Sequence, residues 1–185
     1  MSSFVAVLDA CVLIPASLRD TLLRAVEKDL YRMQWSDEIL EEVQRNLIAQ
    51  GMTSKEGAQS LVDEMKRYFP DASVDGYTSL IAAMTNDPKD RHVLAAAVAC
   101  GAQVIVTSNL RDFPKMALEP FHIEAQSPDE FLIHLFDLDP KSMERILKEQ
   151  ARDLRKRSKT VWELLDTLAQ HAPRFAALMR DYLKT

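Results

Sequence analysis

Glycine is scarce: four residues in 185, and none in a phosphate-cradling run, so a glycine-rich nucleotide loop is excluded. Cysteine is scarcer still. Cys11 and Cys100 lie in apolar segments without metal-ligand spacing. That excludes a disulfide scaffold or a thiolate zinc site and fits two reduced, buried thiols in a cytosolic protein. Long hydrophobic runs are missing too: the longest fully apolar stretch, Val93 to Cys100, falls far short of the roughly 18 residues of a membrane span. No basic region precedes Phe4, so a secretory leader is not expected. An excess of positive charge is also lacking. The net charge of −5 argues against a protein that coats nucleic acid non-specifically. It leaves room for an acidic site beside a local basic patch. One such patch runs from Lys141 to Lys159, with eight Lys/Arg against three Asp/Glu, and ends in Arg155-Lys156-Arg157-Ser158-Lys159.

What remains is an alternation of strand and helix patterns in a chain long enough for one well-packed domain with an extension. Strands are predicted over Phe4–Leu8, Tyr31–Trp35, Gln103–Thr107 and Phe121–Glu124. Helices are predicted over Ala16–Asp29, Asp37–Gln50, Ser54–Tyr68, Tyr77–Met84 and Asp90–Cys100. The first and third strands are apolar throughout, as in a parallel sheet covered on both faces. The expected fold class is therefore α/β, a central parallel sheet flanked by helices in three layers. Pro15 and Ser36 mark helix starts and Gly101 a helix end. After Ser127-Pro128 only helical patterns follow, over Pro128–Phe136, Pro140–Lys156, Thr160–Gln170 and Pro173–Leu183. The chain thus divides into an α/β core, residues 1–126, and a helical extension, residues 127–185.

Carboxylates stand where the strands end. Asp9 follows the first apolar strand directly, a costly place for a charge unless something pairs with it. Ligands of open α/β folds bind at that edge of the sheet. Asp87-Pro88-Lys89-Asp90 opens a helix and is explained either as helix capping or as part of a site. On the helix after Ser36 the apolar stripe is Ile39, Leu40, Val43 and Leu47. Glu42 lies nearest the edge of that stripe, whereas Glu38 and Glu41 are expected to face solvent. The third strand ends in Thr107-Ser108-Asn109, with Asp112 three residues on, as a ligand or a turn residue. Carboxylates gathered in one pocket repel each other and call for a counter-ion. Mg²⁺ or Mn²⁺ suits such oxygen donors, and the implied chemistry is phosphodiester hydrolysis. A phosphatase using a strand-end aspartate would need a second Asp where Cys11 stands.

Four segments in series carry a resemblance: Leu8-Asp9-Ala10-Cys11-Val12-Leu13, Ser36 to Val43, Asp87 to Ala97, and Val104 to Pro114. Over residues 1 to about 125 the chain resembles the PIN-domain ribonucleases that serve as toxins of VapBC-type toxin–antitoxin modules. The resemblance implies a PIN-like fold and Mg²⁺- or Mn²⁺-dependent cleavage of RNA. It implies Asp9, Glu42 and Asp90 as catalytic acids and metal ligands, with Asp87 accessory. Where the family commonly has a fourth acid, this chain has Asn109; either Asp112 takes its place, or the site holds fewer charges and binds a second metal weakly. Thr107, Ser108 and Arg111, with Arg152, Arg155, Lys156 and Arg157 of the extension, are the candidates for RNA contact. A cognate antitoxin and a homodimer are the partners implied. The competing reading is a degenerate PIN module that binds RNA or protein without cutting, with Asn109 as its mark. The histidines, His92 among them, form no triad or zinc spacing and are expected to be structural.

Overall fold

The computed structural model describes residues 4–154 and 160–184. Four short strands, β1 (Val5–Leu8), β2 (Arg32–Gln34), β3 (Val104–Val106) and β4 (Glu124–Gln126), form one parallel sheet in the order β2-β1-β3-β4. Val7 of β1 faces Gln34 on one side and Ile105 on the other, which fixes the register. Ala6, Val7, Leu8, Ile105 and Val106 are all fully buried. Successive strand residues point to opposite faces, so both faces of the central pair are covered.

The helices are α1 (Ala10–Leu13), α2 (Ala16–Glu27), α3 (Asp37–Ala49), α4 (Lys55–Tyr68), α5 (Arg91–Ala99), α6 (Lys115–Leu118), α7 (Pro128–Leu138), α8 (Pro140–Asp153), α9 (Val161–Leu168) and α10 (Pro173–Tyr182). Local signals set their starts. Asp9 accepts from the Ala10 amide, Ser36 from Ile39 and Ser54 from Gly57. Reciprocal capping boxes, Ser127 with Glu130 and Thr160 with Glu163, open α7 and α9. α3 packs on α1 and on α4, and α5 packs on β1 and β3.

The extension does not stand apart from the sheet. Phe131 of α7 lies edge-on to Tyr31 (centroids 5.0 Å apart) and packs against Phe4. α8 lies along α2, where Thr21 Oγ1 donates to Gln150 Oε1 (2.7 Å) and Gln150 Nε2 donates to the Ser17 carbonyl (2.9 Å). One apolar cluster runs from Ala6 to Met179.

Three predicted elements shift. The fourth strand lies at Glu124–Gln126, not Phe121–Glu124, because Pro120 holds Glu119–Phe121 in a 3₁₀ turn and His122 is left-handed at φ +55°. Thr78–Ala83, inside the predicted helix Tyr77–Met84, is 3₁₀. Pro88–Asp90 is a 3₁₀ turn as well, so α5 begins at Arg91. α8 ends at Asp153; Arg155 and Lys156 lie outside the described residues.

Candidate active site

The carboxyl edge of the sheet brings Asp9, at the end of β1, beside Thr107, at the end of β3. Asp9 is 3% exposed, and each of its oxygens is engaged. Oδ1 accepts from the Ala10 amide (2.7 Å). Oδ2 accepts from the Thr107 hydroxyl (2.7 Å) and from the Cys11 thiol (3.2 Å). Thr107 Oγ1 in turn accepts from the Asn109 amide, and Cys11 Sγ from the Ser108 amide. Burial, with the negative charge of Asp9 second, pushes the Cys11 thiol up to about 12, so it stays protonated and donates. A buried carboxylate is tolerated here because donors from both strand ends converge on it.

Asp90 sits where the 3₁₀ turn meets α5, and it is half-buried. Partial burial raises its carboxyl to about 6, and the negative charges of Asp9, Asp112 and Asp87 add to this against Lys89. Asp87 caps the turn through the Lys89 amide. The Asp87 amide donates to the Asp112 carbonyl (3.2 Å), which ties the two acidic loops together. The Asp112 side chain is 12% exposed, whereas Asn109 is an exposed residue. Asp112 is therefore the one whose charge reaches Asp90.

Glu42 and Glu38, one turn apart on α3, both face His92 of α5. His92 Nε2 lies 3.4 Å from Glu42 Oε1 and Nδ1 lies 3.9 Å from Glu38 Oε2. The ring is 4% exposed, and neither nitrogen has a hydrogen-bond partner. Burial works against protonating it, but attraction from Glu42, then Glu38 and Asp9, outweighs burial and raises its pKa. Glu38 is the more solvent-exposed of the two glutamates, at 44% of its side chain against 23% for Glu42, and also lies beside the ring. Glu41 is exposed, as expected. His92 could have been noticed as the polar residue that opens the apolar run Val93–Cys100 two residues after Asp90. Asn86, beside Asp87, is a second omission; its side-chain amide is buried and unpartnered.

Other expected residues are placed differently. Thr107 is fully buried and its hydroxyl is spent on Asp9, so it supports the acid and does not face RNA. Ser108 and Arg111 are exposed beside it, Arg111 Nε 3.5 Å from Asp112 Oδ1. Arg152 is exposed on α8 and pairs with Asp153 (3.6 Å). Arg155, Lys156 and Arg157 lie outside the described residues.

Among the described residues no three acidic, histidine or cysteine side chains close around one point as a finished ion cage. The donor chemistry nonetheless fits a hard cation: carboxylate oxygens, with burial and then like charge raising Asp90.

A family model described as PIN domain matches residues 5–111, more than half of the chain. The chain belongs to the PIN-domain family. A second model, described as VapC50 C-terminal domain, matches residues 128–181 and covers the helices α7 to α10 almost entirely. The PIN segment takes in all of the acids from Asp9 to Asp90, with Asn109, and stops one residue short of Asp112. The chain is 46% identical over 105 residues, 57% of its length, to the protein named "Putative ribonuclease VapC50" of Mycobacterium tuberculosis (strain ATCC 25618 / H37Rv). The chain spans 62% of the length of that relative. No solved structure matches. The expected fold class holds: an α/β PIN-like sheet with a helical extension. Among the described residues no helix is long and apolar enough to cross a membrane.

Proposed function

We propose that this protein is a divalent-metal-dependent endoribonuclease, the toxin of a type II toxin–antitoxin pair. The observation that carries the reading is electrostatic. Asp9, the Asp87–Asp90 turn and Asp112 come to one edge of the sheet, where partial burial first, and the charges of Asp9, Asp112 and Asp87 after it, raise Asp90 to about 6. A cation relieves that repulsion. Asp9, Glu42 and Asp90 are the acids that would hold Mg²⁺ or Mn²⁺, with Asp112 in the fourth place in preference to the exposed Asn109 and with Asp87 accessory. When bound, the ion supplies positive charge to the scissile phosphate and to the attacking water.

The chain's own part is orientation. Thr107, Cys11 and the Ala10 amide hold the Asp9 carboxylate in one position, so little reorganisation is needed when the substrate arrives. Ser108 and Arg111 lie on the exposed rim next to it and would contact the RNA backbone. The relative named as a ribonuclease and the match of the extension to a VapC-type C-terminal domain support the nuclease reading and an antitoxin partner; a homodimer is proposed by family analogy alone. Asn109 favours one other reading, a module that binds RNA without cutting it.

The test is cleavage of a mixed RNA pool by the purified protein freed of any antitoxin. With Mn²⁺ the wild type cuts, and a chelator stops it. Asp9→Asn and Asp90→Asn each lower the rate by at least about 100-fold. Retained RNA binding with no cleavage in any metal selects the binding module instead.

A further inference from the structure

His92 is a buried imidazole between two carboxylates of another helix, and nothing in the cleavage reading uses it. Glu38 and Glu42 are four residues apart on α3 and so share one face. His92, in the first turn of α5, inserts its ring between them, Nε2 toward Glu42 and Nδ1 toward Glu38. Glu38 and Glu42 retain 44% and 23% side-chain exposure, while the ring itself is closed off from water. Without these glutamates both ring nitrogens would be buried with no charge opposite them. The ring faces a single Glu42 oxygen, Oε1, which also accepts from Arg45 Nη2 on its solvent side (3.5 Å).

We infer that His92 is a positioning residue for Glu42: the Glu38–His92–Glu42 row links α3 to α5 and aims the Glu42 carboxylate at the acids around Asp90. Glu38 holds the ring from its far side, so that Nε2 keeps facing Glu42. This rests on the reading of Glu42 as a metal ligand. Partners behind a ligating carboxylate typically change metal affinity by 10- to 100-fold when removed.

The experiment is a double-mutant cycle read as Mn²⁺ affinity by calorimetry on the intact chain, with circular dichroism as the folding control. His92→Gln should weaken Mn²⁺ binding by about 10-fold or more in the wild-type background. In an Glu42→Gln background the same change should cost less than about twofold, since the carboxylate it positions is gone. Glu38→Gln, a change at a half-exposed position that leaves the fold intact, should weaken binding by a smaller factor of about 2 to 5 and serves if His92→Gln unfolds. Equal losses from His92→Gln in both backgrounds, or no loss from Glu38→Gln and His92→Gln, overturn the positioning role while leaving Mn²⁺ binding in place. A wild-type chain that binds no Mn²⁺, or one whose affinity is indifferent to Glu42→Gln, overturns the metal reading of Glu42 and this inference with it.

Discussion

At the scale of single residues the site is an arrangement of acids with unequal support. Asp9 is held by three donors, whereas Asp90 is surrounded by like charge and is half-buried. The folded chain therefore favours the protonated form of Asp90, whose ordinary value is 3.8 and whose value here is about 6. A raised carboxyl contributes stability that is fully present below the unfolded value and is lost as pH rises through the folded one. In a chelator, Asp90→Asn should thus melt above the wild type at pH 7.5, with the gap shrinking as pH falls through about 6 and gone only below 3.8. Thermal unfolding of both proteins checks this, and a gap that widens toward acid contradicts it. Mn²⁺ and the proton compete for the same oxygens, so Mn²⁺ affinity should fall below about pH 6. The same scale shows what sequence could not reveal. Asp9 was legible because a charge directly after an apolar strand is a local anomaly. Thr107's hydroxyl, the Cys11 thiol and Asp112's nearness to Asp90 follow from pairing β1 with β3 across 98 residues and from a loop contact, neither of which leaves a local trace.

At the scale of elements, capping explains why most helix starts were legible: Ser36, Ser54, Ser127 and Thr160 each accept the amide hydrogen bond that their sequence context predicts. The fourth strand was misplaced because Phe121-His122-Ile123 has strand-like side chains, whereas Pro120 and the left-handed His122 delay pairing until Glu124. The approach of Glu38 to His92 was not legible because the helical wheel of α3 carries no information about α5. The extension is fastened by a contact no pattern announces: Asp129 of α7, 9% exposed, accepts from the Phe175 amide in the first turn of α10 at 2.8 Å. That carboxylate satisfies one of the free amides of a helix N-terminus and meets its positive end. Asp129→Ala should therefore cost about 1–3 kcal/mol in urea unfolding, with Asp129→Asn losing less because an acceptor remains. An unchanged midpoint for Asp129→Ala would show that α10 does not depend on this cap.

At the scale of the whole molecule, one apolar cluster joins sheet and extension, and the acids gather at the opposite ends of the same strands that build it. Phe131, fully buried against Tyr31 and Phe4, makes α7 part of the sheet's packing. The division into a core and an extension, legible as a change of pattern at Ser127-Pro128, is thus a division of the chain more than of its interior. The parallel sheet places Asp9 and the Thr107–Asp112 loop side by side, the turn before α5 carries Asp90, and Glu42 of α3 meets His92 in the first turn of α5. All of this converges on the claim that a divalent cation belongs among these acids. The most direct measurement is anomalous scattering from a crystal soaked in Mn²⁺, in the wild type and in Asp9→Asn. The account predicts an anomalous peak between Asp9 and Asp90, with Asp112 nearer to it than Asn109, and its loss in Asp9→Asn. No peak at that edge of the sheet, at a Mn²⁺ concentration that sustains cleavage, would contradict it.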